Sequence, residues 1–352
     1  MILELVTSWP RLVGLNLAHI PETLNVEQLK IIAELKNLRY LNIFGQAFVD
    51  TDLLKSLAAL PKLENLVITN TGYSECCWEN LWHYHNSDGL IVSPLRVLAV
   101  NGAAFKDASL LAVAKLFPNL RVLNFRDTEV TGLYPSIGEV GPLQKLRFVA
   151  CSFKLVEFPQ FLVPKITPSE TEWGLIQIDV RSCNQLNIEK FLDQIKGQPM
   201  QCIRGFTALS SVKWKDIQRL SEIGFPLKEL DLSFFTSFPV LKLARIIQIL
   251  SKSLCKLKLP ANKFEAVNNR FTDELASSIL MAKNLQEIDI GTTLRVFSVR
   301  QLIRIVLGLP ALERIVAGDL TCVIIVEEQE TELKKKLPPR CLLRIVKNTE
   351  DS

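Results

Sequence analysis

Leu120-Arg-Val-Leu-Asn-Phe-Arg-Asp-Thr128 is the stretch that decides the fold. Leu120, Leu123 and Phe125 form an apolar set. Leu123 and Phe125 alternate with Val122, Asn124 and Arg126, the period of two expected of a short strand with one buried face. The same Leu-x-x-Leu-x-Leu frame begins at Leu12, Leu38, Leu63, Leu95, Leu120, Leu143, Leu175, Leu227, Leu254, Leu285 and Leu312, and a degenerate copy begins at Met200. Sequence between frames carries helical signals. Val49-Asp-Thr-Asp-Leu-Leu-Lys-Ser-Leu-Ala-Ala-Leu-Pro61 offers Asp50 or Thr51 as an N-cap and sets Leu53, Leu54, Leu57 and Leu60 on one face. Segments 106–118, 271–280 and 298–310 repeat the design, and proline past several of them stops the helix before the next strand.

Strand and helix alternating at a fixed period of 20–50 residues predict a leucine-rich-repeat solenoid of about 12 units. The fold class is α/β: a horseshoe with a parallel β-sheet on the concave face and helices on the convex face, joined by right-handed crossovers. A solenoid grows by stacking neighbours, so 352 residues form one body over 1–346, with insertions near 72–92 and 152–173 and a disordered tail at 347–352. Segment 326–337 reads as a charged helix with Glu330–Lys334 and Glu332–Lys336 pairs, and 341–346 as a last covering strand. The N-terminus looks uncapped, because Ile2 to Leu12 aligns with the end of a repeat's helix at Leu57 to Leu63.

Hydrophobic residues are 48% of the chain, which excludes disorder, and a net charge of +4 is too mild to argue for nucleic acid or a membrane surface. No apolar run nears the roughly 18 residues of a bilayer span, and the first ten residues lack a basic segment, unlike a signal peptide. There is no Asn-x-Ser/Thr sequon, and the eight cysteines are scattered. These features point to a reducing compartment, the cytoplasm or nucleus.

The ninth frame position must satisfy backbone groups where the chain leaves the sheet. It holds Thr71, Thr128, Cys151, Cys183, Asn262 and Thr293, so both cysteines read as structural. In the stretch 72–89 of the first insertion, Cys76, Cys77, His83 and His85 match zinc spacing poorly; the repeat's own helix, burying Leu81 and one tryptophan, is the better reading. No metal site and no cofactor are expected.

Units of about 25–27 residues with a helix, and Cys, Asn or Thr at the turn, resemble the ribonuclease-inhibitor-like class of repeats. Within that class, Asp52-Leu-Leu-Lys-Ser-Leu-Ala-Ala-Leu-Pro-Lys-Leu-Glu-Asn-Leu-Val-Ile68 is similar to intracellular F-box/LRR proteins and to the LRR substrate receptors of cullin–elongin ligases. The resemblance implies the substrate-recognition part of a ubiquitin ligase receptor. A free-standing LRR adaptor or inhibitor is the alternative. The helical module that docks F-box proteins on a cullin-type core is missing from this chain, as is an elongin box.

A stacked repeat surface favours binding over chemistry, and the sequence holds no G-x-S-x-G elbow, phosphate-binding glycine motif or His-Glu-x-x-His. No enzyme and no catalytic residue are expected. The frame assigns the partner-binding positions to Tyr40, Asn42, Phe44, Asn65, Thr69, Asn101, Asn124, Arg126, Lys145, Arg147 and Arg181, with Arg204 further along. The aromatics would anchor a protein or peptide ligand, and the arginine band, interrupted by Asp179, would pair with its acidic or phosphorylated segment. Beyond it come the acidic pairs Glu229 with Asp231 and Glu287 with Asp289, flanking Lys256 and Lys258.

Overall fold

The computed structural model describes residues 8–18, 20, 24–45, 49–69, 76–88, 93–133, 141, 143–166, 174–181, 183–206, 209, 211–233, 240–259, 269–291, 297, 299–317, 335, 339 and 342–345. Outside this set lie the first seven residues, turn positions Thr71, Asn262 and Thr293, and the charged segment 326–337 apart from Lys335. The chain divides into two compact units, Met1–Gln198 and Pro199–Ser352.

In the first unit the elements run β1 (Gly14–Asn16), α1 (Val26–Ile32), β2 (Tyr40–Asn42), α2 (Thr51–Ala58), β3 (Asn65–Ile68), α3 (Cys77–Asp88), β4 (Val97–Val100), α4 (Asp107–Leu116), β5 (Val122–Asn124), β6 (Phe148–Ala150), β7 (Gln177–Asp179) and α5 (Ile188–Ile195). A 3-10 turn at Gln160–Leu162 precedes β7. The seven strands pair in chain order, every pair parallel. The register joins like positions of successive frames: Leu15 with Leu41, Leu66, Leu98, Leu123, Val149 and Ile178. Each is an inward side chain, and from Leu41 onward all are buried. A fully buried residue of this kind contributes about 2 kcal/mol, so the column stabilises the stack strongly.

The second unit repeats the plan with β8 (Cys202–Arg204), α6 (Trp214–Glu222), β9 (Glu229–Asp231), α7 (Val240–Leu250), β10 (Lys256–Lys258), α8 (Asn269–Met281), β11 (Glu287–Gly291), α9 (Val299–Gly308), β12 (Arg314–Ala317) and β13 (Leu342–Ile345). Strands β9 to β13 form a parallel sheet in chain order. The expected last strand is β13, paired with β12. Each unit is a leucine-rich-repeat stack.

The helices form where their caps predict. Asp50 accepts from the Leu53 N–H at 2.7 Å and starts α2, and Leu53, Leu54 and Leu57 are buried behind it. Asn25 and Gln28 cap α1 reciprocally, Asn25 Oδ1 accepting from the Gln28 N–H and Gln28 Oε1 from the Asn25 N–H, both at 2.9 Å. The insertion after β3 is indeed a helix, α3, with Trp78 and Leu81 buried and Trp78 set edge-on to Phe105 at 5.8 Å.

The expected frame at Leu143 is corrected by the register. Val122 pairs with Phe148 and Leu123 with Val149, so Leu146 occupies the position of Leu120. Leu143 packs earlier, its N–H bonded to Phe161 O at 2.9 Å. Cys151 therefore stands at the sixth position, beside Phe125, and not at the ninth. Thr128 and Cys183 do hold the ninth: Thr128 Oγ1 donates to Phe125 O at 2.8 Å and Cys183 Sγ to Ser152 O at 3.1 Å.

One loop is clamped with unusual economy of space. Asp107, at the start of α4, accepts from Thr131 N, Thr131 Oγ1 and Gly132 N at 3.0, 2.6 and 2.7 Å. Gly132 has φ of +78°, and a Cβ there would sit 1.7 Å from Glu157 O. Gly197 has a similar φ of +87° but open space around it. Gly132→Ala is therefore expected to cost about 3 kcal/mol or more, and Gly197→Ala only about 1–2 kcal/mol. Urea unfolding midpoints of the two variants measure the difference.

Candidate interaction surface

The register that buries every fourth-position residue leaves the third and fifth positions on the opposite, open face of the sheet. Across β2 to β7 the third-position row reads Tyr40, Asn65, Val97, Val122, Phe148 and Gln177. The fifth-position row reads Asn42, Val67, Ala99, Asn124, Ala150 and Asp179. Neighbouring strands lie about 4.8 Å apart. Val67, Val97, Ala99, Val122, Phe148 and Ala150 therefore form one apolar strip in the middle of the face. All six are half-buried, and Tyr40 at its end is 37% exposed. Such a strip gives a partner's side chains apolar surface to cover, with polar groups around it.

Of the predicted binding residues, Tyr40, Asn42, Asn65 and Asn124 lie on this face. Phe44, Thr69, Asn101, Arg126 and Arg181 follow two residues later, where each chain leaves its strand. Lys145 and Arg147 do not join them. With Leu146 in phase, both precede β6, and the open-face positions of that strand belong to Phe148 and Ala150. On β6 the two basic residues expected on the face, Lys145 and Arg147, thus give way to Phe148 and Ala150. Arg204 lies on β8, in the second unit.

The fifth-position asparagines have a structural task that their polarity alone does not reveal. Asn16, Asn42 and Asn124 each accept, through Oδ1, from the backbone N–H two residues on, at 3.0, 3.0 and 3.1 Å. Asp179 and Asp231 do the same for Arg181 and Ser233. These side chains turn the chain out of the sheet.

Asp179 is the hub of a charge cluster and not an interruption in one. It is 3% exposed, receives Arg126 Nη2 in a close contact, and is held by Arg181 through Nη2 at 2.9 Å and Nε at 3.1 Å. Two guanidiniums around one carboxylate leave a net single positive charge. The Asp179 carboxylate in turn raises the pKa of Arg181, chiefly through the hydrogen bond.

Over β9 to β11 the open face of the second unit is built from opposite charges in register, which Arg314 extends on β12. Lys256 meets Glu229 at 3.5 Å, Lys258 meets Asp231 at 3.3 Å, and Arg314 meets Glu287 at 3.4 Å. The acidic pairs therefore neutralise the cations between them, and each exposed pair is worth less than about 1 kcal/mol.

The cysteines among the described residues are free thiols. Burial pushes Cys183 up to about 12, helped by Asp179, and Cys202 up to about 12, helped by its hydrogen bond to Glu229. Burial also raises Cys151 well above the usual thiol range. Among the described residues no group of three or more His, Cys, Asp or Glu is placed to hold a metal; the His85 side chain lies outside that set. No helix among them is long and apolar enough to cross a membrane.

No family model matches the chain, and no curated protein matches its sequence. Solved structures do. The chain is similar to one in the yeast Rad7 and Elc1 complex, at 14% identity and a TM-score of 0.48, over 92% of this chain and 80% of that one. It is also similar to the leucine-rich repeat-containing protein LegL7 from Legionella pneumophila, at 15% identity and a TM-score of 0.39, over 97% and 96%. A third is TLR13 in its complex with ssRNA13, at 13% identity and a TM-score of 0.38; 82% of this chain spans 47% of that one. At such distances, the repeat architecture rests on this chain's own strand register.

Two outcomes follow from this geometry. Asp179→Ala should lower stability by about 2 kcal/mol, less than for a fully buried pair because both arginines reach water, whereas Asp231→Ala should cost under about 1 kcal/mol; chemical denaturation compares them. The thiols give the second. Maleimide at neutral pH should label exposed Cys76 first and leave Cys151, Cys183 and Cys202 unlabelled until denaturant is added, as peptide mass mapping would show. Unfolded thiols ionise near 9.0 and those of Cys183 and Cys202 near 12, so between those values the unfolded state sheds protons that the fold retains. Their contribution to stability is intact below 9.0 and falls as pH rises towards 12.

Proposed function

We propose that the chain is a protein-interaction module, and that its first unit captures a protein or peptide on the open face of β2 to β6. The apolar strip around Phe148, Val97 and Val122 carries this reading. A sheet face left to solvent has no need of six apolar side chains in register, and β9 to β11 of the second unit show that the same backbone accepts charged residues at both open-face positions. Tyr40 and Phe148 are the anchors, and Asn65 lies in the third-position row between Tyr40 and Val97.

The finer reading is a substrate-recognition part of a ubiquitin ligase receptor, acting in the cytoplasm or nucleus. Its support is the resemblance of the Asp52–Ile68 repeat to F-box/LRR and cullin–elongin receptors, together with scattered free thiols. In this reading a cullin-type core is reached through a module outside this sequence. The experiment is quantitative affinity purification of the full-length gene product that carries this chain, from cells treated with a proteasome inhibitor, with and without Val97→Asp and Phe148→Asp. The reading expects a captured protein that is lost with the double variant, and ligase-core subunits that are retained by both forms. Capture without any ligase subunit makes the chain an adaptor or inhibitor, and a captured set indifferent to both substitutions overturns the face assignment. Against the purified partner, Phe148→Ala should weaken binding by about thirtyfold, the effect of a hot spot of about 2 kcal/mol.

A further inference from the structure

The second position of each frame lies next to the open face, at the edge where the strands begin. Across β2 to β6 it holds Arg39, Glu64, Arg96, Arg121 and Arg147. The backbone fixes their alignment. Arg39 O accepts from Glu64 N and Asn65 N, Glu64 O from Arg96 N and Val97 N, Arg96 O from Arg121 N and Val122 N, and Arg121 O from Arg147 N and Phe148 N, all at 2.7–3.0 Å. Arg96, Arg121 and Arg147 therefore stand on adjacent strands, about 4.8 Å apart. Two lysines join the same edge: Lys62 Nζ donates to Asn37 Oδ1 and Lys145 Nζ to Asn119 Oδ1, each at 2.7 Å, and a neutral amide leaves their charge uncancelled. Among the described residues one carboxylate lies in this strip, Glu64, which reaches Arg96 at 3.8 Å; the charge of Arg39, Arg147, Lys62 and Lys145 is left over.

The fold does not require this. In the second unit the same position holds Gln201, Lys228, Cys255, Gln286 and Glu313, with the same backbone bonds from β9 onward. Like charges in a row oppose folding, so a strip that is only scaffold gains nothing from them.

We propose that this edge is a docking strip for an acidic peptide segment, which runs across β2 to β6 while neighbouring apolar residues of the same partner cover the open face. The proposal rests on the capture reading above and specifies the partner's chemistry. A peptide suits the surroundings better than a nucleic acid, because among the described residues the adjoining face offers small aliphatic groups and only Tyr40 and Phe148 as rings for stacking.

The test is fluorescence anisotropy of the full chain with labelled decaglutamate, and with a labelled ten-residue oligothymidylate of similar charge. Arg96→Glu, Arg121→Glu and Arg147→Glu together should weaken decaglutamate binding by at least about tenfold, whereas Lys215→Glu, Arg245→Glu and Lys252→Glu, an equal change in net charge elsewhere, should alter it less than about twofold. The three arginines changed to Gln should show the same loss, which removes misfolding by charge reversal as the cause. Equal losses in both sets, no decaglutamate binding by the unaltered chain, or tighter binding of the oligothymidylate would each overturn the proposal. Decaglutamate has no apolar side chain for Phe148 to hold. Failure here therefore leaves the open-face reading standing, and failure of that reading leaves this measurement unchanged.

Discussion

The phase of the parallel ladder governs everything else in this protein. Each strand contributes only three to five residues, too few to be stable alone, and is held by its neighbours on both sides. The carbonyl at the second frame position accepts two N–H groups from the next strand, and two residues later an apolar side chain enters the core. A slip of a single residue would turn Leu123 and its partners to water and draw Asn124 or Val122 inward. The burial of that column, at about 2 kcal/mol per residue, is what forbids the slip. The open face and its basic edge are consequences of the same lock.

The two units show how much freedom this lock leaves. Positions that face solvent contribute little to stability, so their composition records other pressures. Across β9 to β11 of the second unit they alternate in sign from strand to strand, which is self-sufficient. In the first they are apolar in the middle, arginine-rich at the entering edge, and closed at the other end by the Arg126–Asp179–Arg181 cluster. A surface that is apolar and unevenly charged is complete only against something else, which ties the packing argument to function.

Most of the fold was legible in the sequence because the period is strong: the frame, the Asp50 cap, the α3 insertion and the closing strand at 342–345 all follow from local pattern. The sixth frame did not. Leu143-Gln-Lys-Leu-Arg-Phe148 satisfies the Leu-x-x-Leu-x-Leu pattern as well as any repeat, while the segment that pairs, Leu146-Arg-Phe-Val-Ala-Cys151, looks weaker because Val149 and Cys151 replace leucines. Lateral pairing decides between them, and no window of one strand contains it. That shift of three residues moved Lys145 and Arg147 off the face and brought Phe148 and Ala150 onto it. Asp179 was misread for a related reason, since its partners are two residues and two strands away. The arginine edge escaped notice because the second position is variable in the frame and gains meaning only when strands are laid side by side.

The claim on which the rest depends is that Leu146, and not Leu143, starts the sixth frame. Cysteine accessibility reads this directly, by the alkylation rates of single Phe148→Cys and Val149→Cys variants in the folded chain. The account predicts fast modification at position 148 and protection at 149 comparable to that of Cys151. Protection at 148 with fast reaction at 149 would contradict it, and with it the assignment of the open face.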